Sequence, residues 1–240
     1  MTLIVTNEQM IKEIPEVVQE IVVPRLVAIY DDRNAQIGTA FLTMWKGRQL
    51  LVTAKHCLYG PTFSEDPWIK KIYVEDQLVE LNTVATSTIA CTQNLDVAIV
   101  HVSGFRNDRA LPYSVLQFNK TPPDRLTLVG FLARDFKRDI SAETLRPAPF
   151  CYTNTKYAWS SEFVGISYPN RAITTDTGQR EFSPIPRGLS GTLMLDAVSM
   201  LLGQIKVYGV FTDERMHEAH VFGTHIDALD SLFDKLADLE

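Results

Sequence analysis

The chain has 240 residues, 45% hydrophobic and 22% charged, a globular balance that excludes disorder and fills one large domain or two compact lobes. Its net charge of −6 gives a nucleic-acid partner no overall electrostatic support. No apolar run reaches the ~18 residues of a membrane span, and the opening Met-Thr-Leu-Ile-Val-Thr carries neither a basic segment nor an apolar core, so no secretory signal and no membrane partner are expected.

In chain order, Met10, Ile11, Ile14, Val17, Val18 and Ile21 share one face and predict a helix within residues 1–20. Thr6 or Asn7 would cap it, and Pro15 would bend or shorten it. From Arg25 onward, short β-branched runs alternate with polar turns. Leu26–Tyr30, Gln36–Trp45, Gln49–Thr53, Lys71–Val74, Leu78–Ala85 and Val97–Val102 read as six strands, a set suited to a small barrel lobe over 21–106. Pro112, Pro122 and Pro123 mark 107–125 as a connector.

A second lobe over 126–223 takes its strands from Leu126–Leu132, Thr144–Tyr152, Glu162–Tyr168, Leu193–Leu195, Ile205–Phe211 and Ala219–Gly223. Leu229, Leu232, Phe233, Leu236 and Leu239 then share a stripe, predicting a closing helix within 224–240. Cys57, Cys91 and Cys151 are odd in number and widely spaced, unlike a disulfide framework. A reducing, cytoplasmic setting is therefore expected.

Three segments carry chemistry in a fixed order. Leu51-Val52-Thr53-Ala54-Lys55-His56-Cys57 places a histidine behind an apolar strand, Asp96 opens another strand, and Ser190 lies in Gly188-Leu189-Ser190-Gly191. Acyl transfer to a serine needs a base to take its proton, an anion to hold the base's tautomer, and donors for the oxyanion. His56, Asp96 and Ser190 supply the first two with the nucleophile, and the backbone N–H groups of Gly188 and Ser190 are the candidate oxyanion donors. The order His…Asp…Ser, with Thr192 where Gly-x-Ser-x-Gly wants its last glycine, sets aside an α/β-hydrolase.

With Gly38-Thr39-Ala40-Phe41-Leu42 before the histidine and Val207-Tyr208-Gly209-Val210-Phe211-Thr212 after the serine, the chain resembles the trypsin-like (chymotrypsin-fold) serine peptidases, as a bacterial-type intracellular member. The resemblance implies an all-β fold of two six-stranded antiparallel β-barrels in a single domain spanning 1–240, with a helix at each end. It implies a serine endopeptidase acting on a protein or peptide substrate through an acyl-enzyme, without cofactor or metal. It also implies that Thr212 hydrogen-bonds the aspartate. Ile37 stands where secreted members carry the cysteine that pairs with Cys57.

Several positions depart from the family's pattern. Leu189 replaces the acidic residue that, in activatable members, pairs with a newly cut N-terminus. Either the oxyanion loop is preformed, or an activating protein partner orders it. Pro184 and Ile185 stand where trypsin selects basic residues, and Thr212-Asp213-Glu214 puts Glu214 where a glycine opens the pocket. Small, basic and, through His220, acidic side chains all stay open as substrates. A catalytically silent binding module is the alternative from another class. His217-Glu218-Ala219-His220 with His225 invites a metal reading, but residues three apart on an entering strand face opposite sides, so a polar loop is expected. Arg134-Asp135-Phe136-Lys137-Arg138-Asp139 mixes charge signs and reads as a solvated loop.

Overall fold

A computed structural model describes residues 7–133, 147–169, 172–174, 180–182, 184–215 and 218–238. The Thr6 cap, the 134–139 charged loop, His217 and Leu239 lie outside the described residues.

The first lobe is one curled antiparallel sheet. Its strands β1 (Leu26–Tyr30), β2 (Gln36–Trp45), β3 (Arg48–Thr53), β4 (Lys71–Val74), β5 (Gln77–Glu80), β6 (Ala85–Cys91) and β7 (Ala98–Val102) run in the order β5-β4-β1-β2-β3-β7-β6. β8 (Leu111–Pro112) adds a parallel pairing to β2 from within the connector. Two tight hairpins set the register. Lys46 and Gly47 turn Trp45 onto Arg48 with φ of +47 and +80, and Glu75 and Asp76 turn Val74 onto Gln77 with φ of +53 and +60. Positive φ at both central residues gives the turn whose twist matches the strands. The expected strand Leu78–Ala85 is broken by a helical turn, α3 (Leu81–Val84), which divides β5 from β6, and the ladder does not close between those two edges.

The second lobe closes fully. β9 (Arg125–Leu132), β10 (Ala148–Trp159), β11 (Phe163–Ser167), β14 (Leu193–Asp196), β15 (Val207–Arg215) and β16 (His220–His225) form a barrel in the order β10-β11-β16-β15-β14-β9. The pairing of β9 with β10 completes the circle. β12 (Ala172–Thr174) and β13 (Arg180–Phe182) pair as a separate ribbon.

β1 explains how the two lobes share a core. All five of its residues are buried, and the two-residue period of a strand sends them to opposite faces. Val27 and Ile29 pack inside the first lobe with Leu42, Leu51 and Val100. Leu26, Ala28 and Tyr30 face the larger inter-lobe core with Phe41, Val52, Ile99, Val129 and Leu193.

Helices cover the outside of that inter-lobe core. An N-terminal helix, α1 (Asn7–Val17), continues through Pro15 and widens into a π-helical turn over Val18–Val22. Proline removes a single backbone donor, and the buried row Met10, Ile14, Val18 and Val22 keeps the axis on course. α1 packs on α4 (Ala197–Leu201), a short helix started by Asp196, whose side chain accepts from Val198 N at 3.0 Å. The closing helix α5 (Asp230–Asp238) buries Leu232, Phe233 and Leu236. Phe233 lies 5.5 Å from the Trp45 ring and 5.1 Å, edge-on, from Tyr113.

Candidate active site

Two neighbouring strand ends build half of the site. β3 and β7 pair antiparallel with Thr53 opposite Ala98, so the chain leaving β3 and the chain entering β7 lie at one end of the sheet. The exit from β3 is a one-turn helix, α2 (Lys55–Tyr59), entered through extended Ala54 and ended by Gly60. Gly60 has a φ of +72, and a Cβ there would meet the Glu65 carboxylate. His56 rides on α2, and Asp96 stands just before β7.

One residue takes both oxygens of the Asp96 carboxylate. The His56 backbone N–H donates to Oδ1 at 2.9 Å, and ring Nδ1 makes a short contact with Oδ2. With Nδ1–H held this way, Nε2 of the neutral ring carries the free lone pair. Burial is the largest single influence on the His56 pKa and lowers it, but the hydrogen bonds and charges of Asp96 and Cys57 together outweigh it, and the net shift is upward. The Cys57 thiol is buried and donates to the carbonyls of Ser190 at 3.5 Å and Ile37 at 3.9 Å. Asp96 is the largest of the influences that raise the His56 pKa.

The other half is the turn that enters β14. Gly188 and Gly191 flank it with φ of +82 and +89, conformations open to glycine. Leu189 between them is fully buried in the barrel core with Tyr168, Met194, Phe211 and Val221. Thr192 N donates to Leu189 O at 2.9 Å and Gly191 N to Phe211 O at 2.7 Å, fastening the turn to β15. The amides of Gly188 and Ser190 donate to no group among the described residues. Thr192 fits because Gly130 on β9 leaves room; a Cβ on Gly130 would lie 1.7 Å from the Thr192 hydroxyl.

Thr39, on β2 of the first lobe, joins the two halves. Its N–H donates to Ser190 O at 2.8 Å and its hydroxyl to Gly188 O at 2.8 Å. The same hydroxyl accepts from Phe131 N at 3.0 Å, and Thr39 O accepts the Thr53 hydroxyl at 2.7 Å. A Cβ on Gly191 would lie 1.9 Å from Thr39 O, so glycine is what lets this turn sit against β2. The Ser190 main chain thus touches Cys57, the residue after His56, along the seam between the lobes.

The expected pocket residues divide. Pro184 is tied down by the Tyr168 hydroxyl, which donates to its carbonyl at 2.7 Å, while Ile185 stays 58% exposed. Burial raises the pKa of Glu214, Arg187 opposes this and Asp213 adds to it. Burial also raises the Tyr168 phenol, with Tyr152 and Glu214 adding, so Glu214 lies within electrostatic reach of both Tyr168 and Arg187. His220 lies on the opposite face of the sheet. Glu214 pairs with buried Val221 and Arg215 with His220, and His220 stacks on Tyr157 with ring centroids 3.5 Å apart. Thr212 makes no hydrogen bond to Asp96 among the described residues, because the register shifts between Phe211 and Asp213 and re-aims that stretch of β15. Among the described residues no three His, Cys, Asp or Glu side chains converge as a metal site, and no helix is long and apolar enough to cross a membrane.

Sequence reasoning missed Thr39, Tyr168 and the side chain of Lys55. Thr39 and Tyr168 read only as strand residues, since a tie across lobes leaves no local pattern.

No protein-family model matches the sequence, and no curated protein matches it. Similar solved structures include human heparin binding protein, at 12% identity over 91% of this chain and 93% of that one, with a TM-score of 0.61. A thermostable serine protease, AL20, from an extremophilic microorganism aligns at 11% identity over 90% and 98%, with a TM-score of 0.59. A scabies mite inactivated protease paralogue aligns at 14% identity over 91% and 96%, also at 0.59. The fold of this chain is therefore chymotrypsin-like, and its structural neighbours include serine proteases.

Proposed function

We propose that the protein is a serine endopeptidase with His56, Asp96 and Ser190 as its triad. The observation that carries the reading is the double grip of Asp96 on His56, set beside a Ser190 turn whose Gly188 and Ser190 amides are unengaged among the described residues. Ser190 Oγ attacks the scissile carbonyl carbon while His56 Nε2 takes its proton, and Asp96 stabilises the imidazolium. The Gly188 and Ser190 N–H groups hold the oxyanion. As the intermediate collapses the C–N bond breaks and His56 returns the proton to the leaving amine. Water, deprotonated by His56, then releases the acyl group and restores Ser190.

Pro184, Ile185, Thr212, Asp213 and Glu214 line the substrate side in this reading. Because Leu189 anchors the turn by apolar burial, the isolated protein reacts without an activating partner. A fluorophosphonate probe is expected to label Ser190 in wild type alone, and Ser190→Ala to lose roughly 10⁴-fold or more in peptide turnover. Equal turnover by that variant rejects the triad, and labelling that requires a second protein rejects the preformed turn.

A silent binding module is the second reading, favoured by the likeness to a protein described as an inactivated protease paralogue. A stoichiometric peptide complex with neither labelling nor cleavage selects it.

A further inference from the structure

The residue before His56 does something the triad does not require. Asp96 is carried by the 92–97 loop between β6 and β7. Thr92 and Val97 close the base of this loop, with Thr92 N to Val97 O at 3.1 Å and Val97 N to the Thr92 hydroxyl at 3.4 Å. Lys55 touches both arms. Its backbone N–H donates to Asp96 O at 3.3 Å, and its ammonium donates to Thr92 O at 3.2 Å.

The ammonium is held from a third direction by Phe63, whose ring centroid lies 4.4 Å away. Phe63 belongs to the segment that leaves α2, and it keeps a φ of +55 although it is not glycine and is 45% exposed. That segment is itself fixed, because Phe63 N donates to Gly60 O at 3.0 Å, Glu65 N to Tyr59 O at 2.8 Å, and Glu65 pairs with the buried Lys70. A cation on a long stem can satisfy a carbonyl and an aromatic face together.

We infer that Lys55 is a positioning residue: its ammonium staples the Asp96 loop to the segment after α2 and so fixes the Asp96 carboxylate behind His56. The inference rests on the peptidase reading for its effect on turnover, and on geometry alone for its effect on the His56–Asp96 hydrogen bond. Misplacement by about 1 Å costs up to ~10²-fold in rate, so a loosened carboxylate lowers kcat and leaves KM nearly unchanged.

The test compares wild type, Lys55→Met, Lys55→Arg and Phe63→Leu. Methionine keeps the length and loses the cation, arginine keeps cation and donors, and Phe63→Leu removes only the aromatic face at an exposed site. The expected result is a kcat about 10- to 100-fold lower in Lys55→Met at similar KM. Lys55→Arg recovers most of the loss, and Phe63→Leu shows a smaller loss in the same direction. The acid limb of the rate profile moves to lower pH in Lys55→Met.

The His56 Nδ1 proton, followed by NMR in the full protein, is expected to broaden or shift in Lys55→Met and to stay sharp in Lys55→Arg. An unchanged proton line in both Lys55→Met and Phe63→Leu overturns the inference whatever the turnover. A line that responds in Lys55→Met and recovers in Lys55→Arg, in a protein that neither labels nor cleaves, upholds the positioning role and rejects the peptidase reading instead.

Discussion

The two lobes deliver their catalytic candidates by different means. In the first, His56 and Asp96 come from the facing ends of adjacent strands, so one ladder pairing brings them together. In the second, Ser190 sits on a turn whose place is set by a buried Leu189 on one side and by Thr39, borrowed from the other lobe, on the other. The His56–Asp96 pair is therefore a local product of one sheet, whereas the Ser190 turn depends on the seam. An open sheet suffices for the first task because the pair needs two strands only; a closed barrel gives the second a rigid wall to anchor an apolar side chain.

If this division is right, changes on the first side act on chemistry more than on folding. Asp96→Asn is expected to lower turnover about 10⁴-fold by presenting the wrong tautomer. It also removes the main cause of the raised His56 pKa, so NMR titration should show that pKa falling. A variant that titrates like wild type breaks the comparison.

On the second side, stability moves first. Leu189→Ala empties a fully buried site and is expected to cost about 2–5 kcal/mol, read as a lower denaturant midpoint at constant slope. A loss under ~1 kcal/mol would mean that apolar anchoring does not hold the turn.

Thr39→Val probes the seam itself. It strips the Gly188 carbonyl and the Phe131 amide of their shared partner, at an expected cost of about 1–3 kcal/mol. Probe labelling of Ser190 should slow, while the His56 Nδ1 proton stays in place. Coupled loss of both signals would show that the halves are not independent.

The last comparison is of pH dependence, where one histidine from each lobe shifts in the opposite sense. The His56 pKa is raised, so its contribution to stability is complete below the unfolded value of ~6.5 and is lost as pH rises through the folded value. His225 is fully buried and its pKa is lowered, burial outweighing Asp227. Its contribution is complete above ~6.5 and is lost as pH falls through the folded value. Denaturation curves of His56→Gln and His225→Gln across this range should tilt in opposite directions relative to wild type, and parallel curves would contradict both shifts.

Much of this was legible where local chemistry decides. β1, β2 and β4 begin and end at the residues their alternation and turns predict, and the order of the histidine, aspartate and serine segments pointed to the seam. The hairpin at Glu75-Asp76 was not legible, because its positive φ values fall on residues without a glycine signal. β10 runs to Trp159 rather than stopping at Tyr152, since the polar run Thr153-Asn154-Thr155-Lys156 looks like a turn until the barrel gives it a solvent face. α2 and α4 have five residues each, too short for any periodicity to announce. The sequence places His220 near the last pocket-lining strand, and only the strand register shows that it faces away from Glu214.

The terminal helices have a mechanical consequence. α1, which precedes the first lobe, lies on α4 of the second, and α5, which follows the second lobe, lies on β6 of the first. The ends are crossed like folded arms, each lobe wearing the other's tail. Pulling the lobes apart means peeling both tails at once, so cutting the 107–125 connector alone would leave a nicked protein that still melts as one body.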